Sequence, residues 1–409
     1  MALLRRLVPR VEDTDADMRR MRHFLILLGI CSFIGFQVWR GLFNNFAVEA
    51  AGITAPQMGM IQGLREVPGL LAILVILLLR LLPEHRLALM AATAMGLGIA
   101  LTGFFPSYGG LLLTTLLMST GFHYFETVGQ SLALQHMPSD RLPLFLGQVG
   151  GWTGLAGIAG LGLAFLLSGH LSEPQLLLAA GLLLMAGAVY AGLRWRSFPV
   201  RVPQHKRMVL RRRYSLYYGL TFLAGARRQI FVAFAVFLMV ERHGFTVKEI
   251  TGLYLANSLV TLLAAPQVGR LVQRMGERFV VLTEYSCLIL VFWGYTVADS
   301  RAVLALLFVA DQLLFLMSMA IRTWFQKIAD PADVAPSMAA GFTINHIAAV
   351  VIPPLGGLMW VADFRLTFYL GMLLAVGSLA LALRMGRPVA LPRVPTVAPE
   401  LNPGLEPEG

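Results

Sequence analysis

The sequence reads R-G-L-F-N-N-F-A-V at residues 40–48 and R-Q-I-F-V-A-F-A-V at residues 228–236, with agreement at five of nine positions. Four extra residues in the second copy then shift the register, and the likeness resumes where Glu49 matches Glu241, Gly52 matches Gly244 and Thr54 matches Thr246. Duplicated halves are common in helical membrane proteins. The alternative is chance agreement between two apolar segments. We predict two related halves, residues 23–193 and 214–385, joined by a basic linker at 194–213.

The composition is that of a membrane protein. Of the 409 residues, 57% are apolar and only 13% are charged, far from the average of soluble domains. This excludes a soluble enzyme and leaves no room for a large domain outside the bilayer. The net charge is +11, but the basic residues lie in tails and loops without interleaved aromatic residues. We therefore expect the lipid bilayer, and not a nucleic acid, as the partner of this chain.

Apolar runs of about 20 residues, long enough to cross a bilayer, predict an all-α fold with twelve transmembrane helices. In the first half they are expected at residues 23–48, 57–80, 86–105, 109–134, 142–168 and 174–193. In the second half they are expected at residues 214–240, 248–271, 279–298, 302–325, 336–361 and 365–384.

The distribution of basic residues sets the expected orientation, because Lys and Arg are retained in the cytoplasm during insertion. One side of the predicted bundle collects 25 of the 33 Lys and Arg residues, and the other side collects four. We predict a multi-pass protein of the cytoplasmic (inner) membrane with both termini in the cytoplasm. Residues 1–22 form the N-terminal tail, and the Pro-rich residues 386–409 form a disordered C-terminal tail.

Nothing in the sequence indicates a bound cofactor. Cys31 and Cys287 lie inside apolar runs without neighbours that could complete a metal site, so we expect neither a disulfide nor a metal. A G-x-x-x-x-G-K-[ST] phosphate loop is absent from the sequence, so ATP hydrolysis by this chain is not expected.

The segment G-R-L-V-Q-R-M-G-E-R lies between predicted helices 8 and 9, at residues 269–278. It is similar to the motif G-x-L-x-D-R-x-G-R-R of the major facilitator superfamily, which that family carries between helices 2 and 3 and again between helices 8 and 9. Gln273 replaces the acid of the motif and Glu277 replaces a base, and the counterpart at residues 80–86 is degraded. An ordinary basic loop is the alternative. The resemblance covers nearly the whole chain and implies a gating-loop role for the matching residues Gly269, Arg274, Gly276 and Arg278.

Charged and histidine side chains within the predicted spans are unevenly distributed. Helix 1 carries Arg40, helix 4 carries His123 and Glu126, helix 7 carries Arg227 and Arg228, and helix 10 carries Asp311. Helices 3, 6 and 12 contain no charge, and helix 9 contains only Glu284. In the resembled superfamily, helices 1, 4, 7 and 10 line a central cavity and helices 3, 6, 9 and 12 face lipid, which is the division that the charges indicate here.

Arg40 and Arg228 both fall near the middle of their helices. An embedded charge needs a partner or a water-filled cavity, and a guanidinium offers a planar fork of donors to a carboxylate or phosphate. We predict that the two arginines bind an anion from opposite sides of one site, with Gln37, Asn44 and Gln130 as neutral ligands. The resembled phosphate and organophosphate antiporters use arginines of the same two helices. The alternative is that each arginine pairs with Glu126 or Asp311 to fix helix packing.

A second group of polar residues is expected to handle protons. His123, Glu126 and Gln130 share one face of helix 4, and a carboxylate in a low dielectric can bind and release a proton near neutral pH. We predict proton coupling by Glu126, with His123 as a relay and Asp311 as a weaker candidate. A permanent salt bridge of Glu126 is the alternative. Arg227 is expected to pair with an acid, and His346 to be a packing residue. Arg65 and Glu66 are expected to be structural and bonded to Glu49.

These observations favour a secondary transporter that moves a small, anionic solute by alternating access, with protons as a coupling ion. The chain is expected to be a monomer and not an enzyme. A proton-driven exporter of lipophilic or drug-like compounds is the alternative within the same fold. A non-transporting membrane receptor or a lipid-modifying enzyme is the alternative from another class.

Overall fold

The computed structural model describes residues 16–71, 75–79, 81–137, 142–198 and 210–386. Most of the predicted tails, residues 1–15 and 387–409, and most of the predicted linker, residues 199–209, lie outside these ranges. Within them the chain is helical and forms no strand.

In the described part of the first half we number six helices. They are α1 (Ala16–Ala50), α2 (Ala55–Leu70, followed by the short helix Val75–Leu78), α3 (Glu84–Thr102), α4 (Tyr108–His136), α5 (Leu142–Leu167) and α6 (Glu173–Arg194). Helix α1 begins seven residues before the predicted bound of residue 23, so part of the predicted tail is helical. The reason is burial, because Met18 and Met21 are both enclosed by the bundle.

Six more helices lie within residues 210–386, the described part of the second half. They are α7 (Arg212–Glu241), α8 (Val247–Met275), α9 (Glu277–Val297), α10 (Arg301–Ile328), α11 (Pro331–Ala362) and α12 (Phe364–Ala382). Among the described residues, nine helices are individually long and apolar enough to cross a membrane, and α8, bent by 43°, makes a tenth. The two numbered helices that do not meet this test are α2 and α4. The described part of α2 is short, and α4 carries the polar face that includes His123 and Glu126.

The duplicated sequence has a duplicated structure. Gly52 after α1 and Gly244 after α7 have φ angles of +59° and +61°. This is a left-handed backbone conformation that residues other than glycine rarely adopt. The amide of the next residue donates back across the turn in both copies, from Ile53 to Ala47 at 2.9 Å and from Phe245 to Met239 at 3.0 Å. Capping boxes at Thr54 and Thr246 then start the following helices. Equivalent backbone bonds at equivalent positions are not expected from chance similarity.

Two symmetry-related helix pairs join the halves. They are α2 with α11, and α5 with α8. A Cβ atom added to Gly59 would lie 2.2 Å from the carbonyl oxygen of Pro353, so the backbones of α2 and α11 touch there. We call this the distal end of the bundle, the end at which α1 turns into α2 and α7 turns into α8. At the opposite, proximal end, where α1 begins and α12 ends, a space separates the halves.

The loop between α8 and α9, which contains the predicted gating motif, lies at the proximal end. Glu277, which stands where the motif has a base, forms an ion pair with Lys327 at the end of α10. Arg278 donates a hydrogen bond to the Leu383 carbonyl at 2.9 Å. The segment therefore connects the start of α9 to the ends of α10 and α12. These contacts do not test a role in gating, which stays a prediction.

A second link at the proximal end joins the start of α7 to the start of α11. Asp333 accepts hydrogen bonds from Arg213 at 2.5 Å and from the Tyr214 hydroxyl at 2.8 Å, and Arg211 lies 2.7 Å away. Burial alone would raise the pKa of Asp333, but these hydrogen bonds hold it below its usual value. The aspartate is therefore held in its ionised form.

One buried ion pair links α7 to α9 in the second half. Arg227 donates to Glu284 at 2.8 Å, with the two side chains 3% and 0% exposed, and its guanidinium lies 4.7 Å from the ring centroid of Tyr285. The prediction that Arg227 pairs with an acid is thus confirmed. Removing one partner of such a pair lowers the stability of the protein far more than removing both, because the single removal leaves an uncompensated buried charge.

This asymmetry can be tested by a pair of variants. We expect Arg227→Met to destabilise the protein by about 3–5 kcal/mol, whereas Arg227→Met combined with Glu284→Leu should recover most of that loss. The melting temperature of the purified protein measures both. A double variant that melts as low as the single variant would contradict the assignment.

The packing of α3 on α4 can be tested at Gly121. An added Cβ atom there would lie 2.3 Å from the Met95 amide nitrogen and 2.4 Å from the Ala91 carbonyl oxygen. Overpacking typically costs about 1–3 kcal/mol, so we expect Gly121→Ala to lower the melting temperature. Gly129→Ala in the same helix is the matched control, because nothing lies within 4 Å of its Cβ position. Equal melting temperatures for the two variants would show that the backbones are not in contact.

Candidate functional site

A cavity of about 640 Å³ lies between the two halves. Its walls come from α1, α2, α4, α7, α10 and α11, and among the described residues it has no lining from α3, α6, α9 or α12. These four helices instead carry exposed apolar side chains such as Leu97, Leu182, Leu290 and Leu373. The prediction that helices 1, 4, 7 and 10 form the walls is confirmed, and α2 and α11 add two walls that were not predicted.

The cavity reaches from the middle of the bundle toward the proximal end. Tyr217 near the start of α7, Arg322 near the end of α10 and Met338 near the start of α11 line it. The contacts of α2 with α11 and of α5 with α8 close the distal end. The structure therefore represents a state that is open at one end only.

Arg40 and Arg228 line this one cavity from α1 and α7. The Arg40 guanidinium lies 4.5 Å from the ring centroid of Tyr254, and that of Arg228 lies 3.6 Å from the ring centroid of Phe315. Cation–π contacts leave the edges of a guanidinium open to acceptors. In the described part of the chain neither side chain has a direct ion pair or a hydrogen bond. Neither arginine is therefore bonded to Glu126 in this state, whereas Asp311 lies beside Arg228 without a direct bond to it.

The three neutral residues predicted beside them are not among the lining residues. Gln37 and Asn44 are buried, and Gln37 packs toward α5, where its Cγ atom lies 3.3 Å from the Cβ position of Gly157. Gln130 is exposed but lies further along α4. A helical face spans a wide angle, so sharing a face with Arg40 did not bring Gln37 and Asn44 into the cavity.

The predicted proton-handling residues are divided. His123 and Glu126 both line the cavity, and Glu126 is exposed to it. Asp311 lies behind the wall, in a small space with Arg227 and Arg228, and its Oδ2 atom has no hydrogen-bond partner within the described residues. It is therefore a counter-charge beside two arginines and has no contact with the cavity.

Four charged or titratable residues of the lining were not predicted to belong to it. Arg65 and Glu66 of α2, Arg322 of α10 and His346 of α11 all face the cavity. The expected link to Glu49 is absent from the described contacts, since Glu49 accepts a hydrogen bond from Asn45 while Arg65 donates to Glu66 at 2.6 Å. The adjacent charges Arg65 and Glu66 inside an apolar helix were the available signal.

The lining is electropositive and aromatic. It contains four arginines, Arg40, Arg65, Arg228 and Arg322, against two carboxylates, Glu66 and Glu126. With neutral histidines the formal charge of the lining is positive, which favours an anion in a space shielded from bulk water. Five rings complete the walls: Phe36, Phe122, Tyr217, Phe315 and Phe342. Such a surface can bind a solute that combines an anionic group with an apolar part.

Known structures share this architecture. The crystal structure of the nucleoside transporter NupG aligns with a TM-score of 0.71 at 14% identity, over 88% of this chain and 98% of that one. A bacterial homologue of the human lysosomal transporter Spinster, in an inward-facing and occupied conformation, aligns with a TM-score of 0.73 at 14% identity, over 91% of this chain and 98% of that one. At this identity the likeness shows the fold alone.

No curated protein sequence matches the chain. A family model described as the Major Facilitator Superfamily matches residues 25–343, well over half of the sequence. The resemblance drawn from the motif and the duplicated halves is thereby confirmed. The chain belongs to the Major Facilitator Superfamily and is a multi-pass membrane transporter, not an enzyme.

Proposed function

We propose that this transporter moves a small anionic solute by alternating access and that Arg40 and Arg228 bind the anionic group together. One observation carries the proposal: arginines from the symmetry-related helices α1 and α7 line a single cavity without an ion pair to any described residue. Burying a charge without a partner is costly. A bound anion supplies the acceptors that the surrounding protein does not.

The orientation follows from the basic residues. Among the described residues, most Lys and Arg outside the spans lie at the proximal end, which the positive-inside rule assigns to the cytoplasm. The state described here is then inward-facing in the cytoplasmic membrane, with both termini inside, and the chain acts as a monomer. Opening outward requires α2 to part from α11 and α5 to part from α8, while the halves close at the proximal end.

Proton coupling is assigned to Glu126. Its side chain is exposed to the cavity on the same wall as His123, so it can exchange protons with water that enters from the proximal end. When Glu126 is protonated and neutral, the anionic solute alone interacts with the two arginines. When Glu126 is ionised, its negative charge competes with the solute for the same two positive charges. Solute and proton would then be carried together.

A second function is supported by the aromatic walls. Phe36 and Phe122 stack at 4.9 Å between ring centroids, and Phe315 and Phe342 line the opposite half. Apolar walls of this kind suit a proton-driven exporter of lipophilic compounds. In that case the arginines would have a structural role and ligand binding would not depend on them.

The two functions differ in the effect of Arg40→Lys and Arg228→Lys. Lysine keeps the charge but loses the bidentate fork, so we expect either variant to bind an anionic solute about ten- to a hundredfold more weakly. Ligand-induced shifts in melting temperature across a panel of anionic and lipophilic compounds measure this. Arg242→Lys is the matched control, because Arg242 contacts the Phe364 ring outside the cavity. Stabilisation by neutral or cationic lipophiles alone, retained in both variants, would support the exporter instead.

The role of Glu126 predicts a separate phenotype. We expect Glu126→Gln in proteoliposomes to lose uptake driven by a pH gradient while solute exchange across the membrane continues, because the amide cannot take up or release a proton. A carboxylate introduced elsewhere on α4 by Gln135→Glu should not restore proton-driven uptake to this variant, because Gln135 bonds to Glu84 away from the cavity. Unchanged proton-driven uptake in Glu126→Gln would reduce Glu126 to a lining residue.

A further inference from the structure

Three buried side chains converge on one wall of the cavity. Glu66 of α2, His123 of α4 and His346 of α11 each place a potential ligand atom within 4.8 Å of the other two. They are 6–8% exposed. No metal site was expected from the sequence, since Cys31 and Cys287 have no neighbours that could complete one. Glu66, His123 and His346 lie on separate helices and form no spacing motif.

The hydrogen bond of His346 determines which ring nitrogen is available. Its Nδ1 atom lies 2.9 Å from the Phe342 carbonyl oxygen, and a carbonyl can only accept, so Nδ1 carries the hydrogen. In the neutral ring the lone pair is then on Nε2, which lies 3.8 Å from Glu66 Oε2. Two acceptors that face each other at this distance are bridged either by a proton on His346 or by a metal cation between them.

Glu66 is oriented in the same way. Arg65 donates to Oε1 at 2.6 Å, which turns Oε2 toward His346. Hydrogen bonds on the far side of a histidine and a carboxylate are the usual supports of metal ligands. The His123 ring lies 5.3 Å from that of His346 at an interplanar angle of 75°, so the third ligand enters from a different direction.

Gly69 makes room for the two rings. A Cβ atom at this position would lie 2.4 Å from Cδ2 and 2.5 Å from Nε2 of His346, and 2.8 Å from Cε1 of His123. Any side chain here would push against the ligand nitrogen itself. The glycine therefore keeps the space between α2, α4 and α11 open.

We propose that Glu66, His123 and His346 form a binding site for a divalent transition metal ion of the Zn²⁺ class. Two imidazoles and a carboxylate are a common protein ligand set for zinc. Tetrahedral coordination at ~2.1 Å brings ligand atoms to roughly 3.4 Å from one another, so atoms that now lie within 4.8 Å need to approach by at most about 1.4 Å. The fourth position faces the cavity and takes a water molecule or a solute oxygen.

The surroundings set the expected affinity. Arg65, Arg228 and Arg40 are nearby positive charges, and Glu126 is the one further carboxylate of the described lining. This field opposes a dication, so the site should bind Zn²⁺ in the micromolar range, weaker than structural zinc sites. Because α2 and α4 belong to one half and α11 to the other, the ion would also hold the distal contact closed.

Isothermal titration of the purified full-length protein with ZnCl2 after treatment with EDTA tests the site without any assay of transport. We expect one Zn²⁺ per chain, and at least a tenfold loss of affinity in Glu66→Gln and in His346→Gln. His170→Gln, which removes an exposed histidine between α5 and α6, should bind like the wild type. Zn²⁺ should raise the melting temperature of the wild type but not of the two ligand variants.

Two further variants guard against misfolding. In His346→Cys a thiolate replaces the imidazole, so Zn²⁺ binding should return; Gly69→Ala retains all three ligands but should weaken binding. Equal affinity in the wild type, His346→Gln and Gly69→Ala would overturn the proposal. So would a wild type whose stability changes with pH but does not respond to Zn²⁺, because the cluster would then hold a proton only. Neither result bears on the anion site, which these titrations do not probe.

Discussion

Two guanidinium groups inside a membrane protein, neither of them within ion-pair distance of a described carboxylate, are the constraint on which this structure depends. Arg40 and Arg228 line the cavity and lie over aromatic rings, while Arg227, one position from Arg228, forms an ion pair with Glu284. The protein thus neutralises the arginine that holds helices together and leaves two others available. Since an embedded charge is tolerated only beside water or a partner, the cavity and the anion it is proposed to bind are two consequences of the same cost.

Duplication of the six-helix half brings the two arginines together. The turn that follows α1 and the turn that follows α7 share a left-handed glycine, a backbone bond and a capping box. The four extra residues of the second copy place Arg228 about one helical turn further from its glycine than Arg40 is from Gly52, and both arginines still reach the same cavity. The helix pairs α2 with α11 and α5 with α8 are also exchanged by this symmetry. Each pair can part without unfolding either half, which is the mechanical requirement of alternating access.

The sequence predicted the features that depend on spacing along one helix, and it failed where contacts between helices decide. Charges within apolar runs identified α1, α4, α7 and α10 as walls, and the repeat located Arg40 and Arg228. The directions in which side chains point could not be predicted in the same way. Gln37 packs toward α5 and Asp311 lies behind the cavity wall, although both were expected to reach the cavity. Glu66 and His346 face the cavity because α2 crosses α11 closely, a contact between residues nearly 300 positions apart that no local pattern encodes.

A double-mutant cycle tests the central claim most directly. The dissociation constant of an anionic solute would be measured by calorimetry for the wild type, Arg40→Lys, Arg228→Lys and the double variant. If both guanidiniums bind one anionic group, replacing the first also changes how the solute contacts the second. The double variant should then lose less binding energy than the two single losses added together, by about 1 kcal/mol or more. Strictly additive losses, or no loss in either single variant, would contradict a shared anion site.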